Sequence, residues 1–328
     1  MGRGRCQCPE LLVNGGKMTE CERLIANGTF TPDFFKPEVR CDFLVDEKRK
    51  KLWAIQIDLF LQLEKICKKY GLTYFAAGGT ILGAYRHRGF IPWDDDIDIN
   101  MPRNDYLRLQ EYADEFEYPY YLQIPGKDHE YCYSYTKLRN SQTTQVSKPF
   151  SHRSFNQGVQ IDIFPVDKWD TEKGEASFHR INELNIDNSN YLRQGMIDPS
   201  EKDIERIQSW SGVSPAENMR EIDRLATQYN EFSNATVMTI PVSTIYPYHK
   251  IQFPAEAFDS TQRLPFEHIE MTVPVGSVTI MEMQFGDWRK FPPVEKRGAW
   301  HDSEMFDPDV PYQQFLSDYR KSPKGAVS

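Results

Sequence analysis

The stretch of this chain richest in reactive side chains is Trp93-Asp94-Asp95-Asp96-Ile97-Asp98-Ile99. Asp96 and Asp98 stand two apart, and Ile97, Ile99 and Met101 alternate with them. That pattern predicts a half-buried strand over 95–101 with both carboxylates on one face. Two carboxylates so close repel each other and raise a pKa if left alone. A divalent cation between them resolves the conflict, and hard oxygen ligands suit Mg²⁺ or Mn²⁺, which can then hold substrate phosphates. Three aspartates in a row can also be a plain exposed turn, but alternation with isoleucine favours the metal reading.

Other groups would serve the same chemistry. Gly78-Gly79-Thr80 reads as a turn after the apolar run 72–77, where bare N–H groups can approach a phosphate closely. Asp162 sits alone in the apolar segment Val159–Phe164, and a buried acid is costly unless paired or metal-bound. Arg86, His87, Arg88, Lys137 and Arg139 are the basic candidates for holding phosphates. Lys137 and Arg139 stand two apart on a predicted strand and so share a face.

These residues must be carried by a mixed set of elements. Leu52, Ile55, Leu59, Leu63, Ile66 and Tyr70 recur at three or four residues before Gly71, predicting a helix over 46–70 with a glycine stop. Short strands are expected at 72–77, 131–139 and 159–164, with helices beginning near Ile81 and Pro102. Residues 178–232 read as mostly helical, and Ser214-Pro215-Ala216-Glu217 combines a capping box with proline at the first helical position. The last third mixes strands near Phe253 and Ile269 with a helix around 278–285. Residues 1–45 read as an irregular lead-in or cap, and the tail after Lys321 as disordered. The fold class is α+β: a glycine turn, a helix, an Asp-x-Asp strand and a third acid on a neighbouring strand make up a nucleotidyltransferase-type plan.

Composition sets the bounds. The chain has 328 residues, 39% hydrophobic and 27% charged, and a net charge of −9. An acidic balance argues against general nucleic-acid binding. No run approaches the roughly 18 apolar residues of a membrane span, and no signal-peptide core is seen, so a cytoplasmic protein is expected, with peripheral membrane contact open to it. The six cysteines (Cys6, Cys8, Cys21, Cys41, Cys67 and Cys132) follow no zinc spacing and read as reduced thiols. Tyrosines at 118–121 and 131–135 suit core packing, the alternative being a cage for a quaternary ammonium. His301 reads as structural or acceptor-side.

The stretch GGTILGAYRHRGFIPWDDDIDINMPRNDY (78–106) resembles the LicD family, which includes bacterial phosphocholine transferases and the related domain of fukutin and fukutin-related protein. The resemblance continues through TKLRNSQTT (136–144), VQIDIFPVD (159–167) and MEMQFGDWRKFPPVEKR (281–297). It covers about 46–301 and frames a catalytic domain over 46–305, with a lead-in at 1–45 and a tail at 306–328. It implies transfer of phosphocholine or a polyol phosphate from a CDP-linked donor (CDP-choline or a CDP-polyol) to a hydroxyl of a glycan or lipid-linked saccharide. By that resemblance Asp96 and Asp98 ligate the metal, Asp162 is a third ligand or the general base, and Asp94 plays a supporting role. The competing readings are a nucleotidyltransferase that releases pyrophosphate from a triphosphate, and a non-catalytic glycan- or nucleotide-binding protein.

Overall fold

A computed structural model describes residues 12–13, 16–128, 130–232, 237–242, 246–298 and 305–321. Cys6, Cys8, His301 and the tail beyond Lys321 lie outside the described residues. The fold is α+β, with nine α-helices and a seven-stranded mixed sheet among the described residues.

The sheet is built around β5 (Val159–Trp169). On one side β5 pairs in parallel with β2 (Asp98–Pro102), which pairs antiparallel with the short β1 (Phe75–Ala76). The first half of β5 also pairs antiparallel with β4 (Thr136–Asn140), and β4 with β3 (Tyr120–Gln123). Beyond β4, the end of β5 pairs with β6 (Val237–Thr239), followed by β7 (Gln252–Pro254). Along β5, Ile161 and Ile163 alternate with Asp162 and Phe164, so the apolar set enters the core and the other set faces away from it.

Helix α2 (Glu47–Tyr70) starts where the Asp46 carboxylate accepts the Arg49 N–H and stops at Gly71, whose φ of 62° is left-handed and favours glycine. Trp53, Ala54, Ile55, Ile57, Leu59 and Phe60 are all fully buried, so α2 is enclosed on nearly every side rather than lying on the surface. Of its buried polar residues, Asp58 accepts from Arg23 and the Tyr120 hydroxyl, each at 2.7 Å.

Several elements depart from the expected pattern. Gly78-Gly79-Thr80 is not a turn but the first turn of α3 (Gly78–His87), because the chain enters the helix directly from Ala77. β2 begins at Asp98 instead of 95: the Ala77 N–H to Asp98 carbonyl bond is the last rung before α3 departs. The 131–135 stretch is irregular, with the strand starting only at Thr136. Residues 1–45 are not merely irregular. Thr19 and Glu22 form a capping box that starts α1 (Glu20–Ala26), and Leu24, Phe30 and Phe35 enter the main core. Near the C-terminus, a strand at Met305–Asp307 pairs with Thr144–Val146, and a helix over Tyr312–Lys321 packs on Val146. The helical region holds as expected, with Ser214 capping the Pro215–Thr227 helix. No helix among the described residues is long and apolar enough to cross a membrane.

Candidate active site

Asp94, Asp96 and Asp98 are each partly exposed, while Asp95, Ile97 and Ile99 between them are buried. The alternation therefore begins four residues ahead of the strand proper. Helix α2 holds that leading segment: Arg49 Nη1 and Trp53 Nε1 donate to the Asp94 carbonyl at 2.8 and 3.1 Å, and Gln56 Nε2 to the Asp95 carbonyl at 2.7 Å. Asp98 is fixed from the other side, its N–H donating to the Thr80 hydroxyl at 2.9 Å. Thr80 thus acts on the site through the backbone of Asp98.

The glycines bring the start of α3 against these acids. A Cβ at Gly79 would lie 2.6 Å from Asp94 Oδ2, and one at Gly78 would lie 3.6 Å from Asp98 Oδ2. At Gly79 the close approach of the helix's positive end leaves no room for a side chain, and at Gly78 the left-handed φ of 46° favours glycine. Asp94, Asp95 and Asp96 each offer an oxygen within 4.8 Å of the others, a set of hard donors that fits Mg²⁺ or Mn²⁺. That grouping differs from the Asp96, Asp98 and Asp162 set expected from sequence, and it moves Asp94 from a supporting place into the cluster.

Asp162 is directly paired with Asp98 across the parallel strands, hence on the same face of the sheet. It is buried, and both its oxygens accept from Lys137 Nζ, at 2.7 and 3.0 Å. Burial, with Arg139 alongside, pushes the Lys137 ammonium down against the pull of Asp162. Arg139 does not reach a phosphate site: it is buried, donating to Gln123 Oε1 at 2.6 Å and to the Gly158 carbonyl at 2.7 Å. Lys137 and Arg139 do share a face, as their spacing requires, but that face is covered.

Asp94, Asp96 and Asp98 line a cavity of about 700 Å³, with Gly78, Gly79 and Arg86. Other parts of its wall come from far along the chain, among them Phe164, Tyr246, Lys250, Asp287, Trp288, Lys290, Phe291 and Lys296. Burial and the charges of Asp98, Asp94 and Asp96 push the Tyr246 phenol up. Arg86 Nη1 donates to the carbonyls of Trp288 and Lys290 at 2.7 and 3.2 Å. His87 and Arg88 are not among the lining residues. His87 turns its ring to Arg86 and Cys41, and Arg88 ends α3 at φ 54°, its carbonyl accepting the Glu267 N–H at 2.7 Å. Tyr246, Lys250, Lys290 and Lys296 were not singled out from the sequence. The 281–297 block, noted there only as a family-like ending, contained Trp288, Lys290, Phe291 and Lys296.

Of the tyrosines expected to pack, those at 131–135 do so, whereas Tyr118 and Tyr121 are exposed. Tyr131 lies against Phe155 and Tyr133, and Tyr135 packs on Phe164 at 4.4 Å between ring centres.

Residues 71–202 match the family model described as LicD/FKTN/FKRP, nucleotidyltransferase domain. Over that stretch the chain matches the LicD family. The lipopolysaccharide cholinephosphotransferase LicD of Haemophilus influenzae is 24% identical over 249 residues, covering 74% of this chain and 91% of that protein. An uncharacterized protein of Rickettsia prowazekii is 39% identical over 59 residues, 18% of this chain and 22% of that protein. The match includes the acidic segment, α3, β4 and all of β5, so Asp94, Asp96, Asp98 and Asp162 lie inside the matched region, while Asp287 of the cavity wall lies outside it. Lys250, Lys290 and Lys296, which also line the cavity, lie beyond it.

Proposed function

We propose that this protein is a metal-dependent phosphotransferase that moves a phosphoryl-linked small alcohol, phosphocholine or a polyol phosphate, from a CDP-linked donor to a hydroxyl of a cell-surface glycan or its lipid-linked precursor. The observation that carries this reading is the cavity, in which three alternating carboxylates and the glycine start of α3 face Arg86, Lys250, Lys290 and Lys296. Acids for a cation and bases for phosphates in one cavity are what a charged pyrophosphate donor requires. The relative named as a cholinephosphotransferase, matched over most of its length, supports the same class.

In this reading the acceptor oxygen forms a bond to the distal phosphorus of the donor. The bond from that phosphorus to the bridging oxygen breaks, and CMP leaves with the electron pair. Asp94 and Asp96, which belong both to the donor cluster and to the cavity wall, would hold Mg²⁺ or Mn²⁺ with Asp98 beside them, and the ion would supply charge stabilisation at the phosphates. Arg86 and the three lysines offset the charge that grows on the departing monophosphate. The acceptor hydroxyl gives its proton to a carboxylate facing the cavity. Asp162, tied to Lys137 beside Asp98, supports that row of acids. Phe164, Trp288 and Phe291 give the alcohol or the base an apolar wall.

A panel of CDP-choline, CDP-glycerol, CDP-ribitol, UDP-sugars, CTP and ATP, each with an acceptor glycan, tests the reading by mass spectrometry of the released nucleotide. CMP from a CDP-linked donor is expected. Pyrophosphate from a triphosphate with no CMP from any CDP-linked donor identifies a nucleotidyltransferase instead.

A further inference from the structure

His87 is the last residue of α3, and its ring is held on every side. Nε2 lies 2.9 Å from Arg86 Nε, and Nδ1 lies 3.8 Å from the Cys41 sulfur. The ring stacks on Phe291 with centres 5.6 Å apart and stands edge-on to Trp93. Neighbouring residues do not face each other along a helix. Here the helix ends at left-handed Arg88, which lets the ring fold back onto Arg86. Cys41 and Asp42, both at positive φ, form the tight turn of a hairpin that presents the thiol to Nδ1.

The protonation state follows from the partners. An arginine Nε always carries a hydrogen, so Nε2 must offer a lone pair and the ring hydrogen must sit on Nδ1, toward sulfur. His87 is therefore neutral. Burial and the charges of Arg86 and Arg40 agree, pulling its pKa down to about 4.

Arg86 shows what this neutrality achieves. Its Nε and Nη1 hydrogens go to His87 and to two carbonyls, and its guanidinium covers the Phe291 ring at 5.0 Å. Among the described residues, Arg297 is the charged side chain that acts on it, and no carboxylate does. A carboxylate in place of His87 would fix the guanidinium equally well, but it would cancel its charge. A neutral imidazole fixes it and leaves the charge for an anion in the cavity.

We propose that His87 is a positioning residue: a neutral acceptor that locks the Arg86 guanidinium at the cavity wall so that its charge is presented to the pyrophosphate group of the substrate. The proposal rests on the reading of the cavity as a phosphate site. It is tested with inorganic pyrophosphate, which contains neither a nucleoside nor an alcohol, so its outcome stands apart from any donor assay.

Pyrophosphate binding with Mg²⁺ present is measured by titration calorimetry for the wild type, H87Q, H87E and H87F, each with its melting temperature. H87Q keeps an uncharged acceptor and should bind like the wild type. H87E keeps the acceptor and the fold but neutralises Arg86, and H87F keeps the stacking but loses the acceptor; each should bind roughly tenfold more weakly, the scale of one charge-assisted hydrogen bond. Weaker binding by H87E than by an equally stable H87Q is the decisive contrast, since a purely structural histidine gives no such split. Equal binding by H87E and H87Q, or no pyrophosphate binding by the wild type, overturns the proposal. Continued CMP release in the donor panel would then leave the phosphotransferase reading intact.

Discussion

Lys137 closes both oxygens of Asp162, one strand away from Asp98, and this pair ties the candidate site to the interior of the sheet. The cross-strand register places Asp98, Asp162, Lys137 and Gln123 in one row over four strands. The row begins at the cavity and ends fully buried at Gln123. Asp162 is thus held by a cation in a fixed place, which keeps a second negative charge beside Asp98 without leaving it uncompensated.

Lys137→Met should be strongly destabilising, because it leaves a buried carboxylate without its cation. The expected loss is about 3–5 kcal/mol. Adding Asp162→Asn to the same chain should recover a large part of it. Urea midpoints of the single and double variants check this, and a single variant as stable as the wild type would show that the pair contributes little.

Gly79→Ala separates folding from function. Alanine suits a helix better than glycine by about 0.5–1 kcal/mol, so stability should hold or rise slightly. The new Cβ would lie 2.6 Å from Asp94 Oδ2 and must displace that carboxylate. Turnover should fall on the order of a hundredfold, the scale of an ångström-sized misplacement. Thermal melts and steady-state rates on one preparation read out both effects.

Much of this was legible in the sequence where neighbours in the chain are neighbours in space. The apolar spacing of α2, its glycine stop and the Ser214 capping box are local, and the structure follows them. The alternation at 94–99 likewise predicts which acids are exposed, although hydrogen bonds to α2 side chains, not strand pairing, hold its first half. The start of α3 was misread because a glycine pair normally signals a turn. Period two put Lys137 and Arg139 on one face but could not show that Gln123 and the Gly158 carbonyl occupy it. Tyr246 and Lys250 come from strand-poor segments without periodic pattern, so only tertiary folding brings them to the acids.

The His87 environment sets a pH dependence of stability. Its pKa falls from an ordinary 6.5 to about 4, mainly through burial and then through Arg86 and Arg40. Between those values the unfolded chain binds a proton that the folded chain refuses, so stability falls as pH falls across the window. H87Q, which does not titrate, should lose less stability than the wild type between about pH 6.5 and about pH 4. Denaturant midpoints across that range compare the two, and parallel curves would remove His87 as the source.

The central claim is that the carboxylates of the 94–98 segment hold the cation required for transfer from a CDP-linked donor. The most direct measurement is CMP release from the best such donor, with acceptor present, for the wild type, Asp96→Asn and Asp98→Asn. Each is assayed with Mg²⁺, after chelation, and after Mg²⁺ or Mn²⁺ is restored. The wild type should lose activity on chelation and regain it on restoration. Both variants should stay folded and fall on the order of a thousandfold, several kcal/mol of lost charge stabilisation. CMP release that persists in chelator, or near wild-type rates in both variants, would contradict the account.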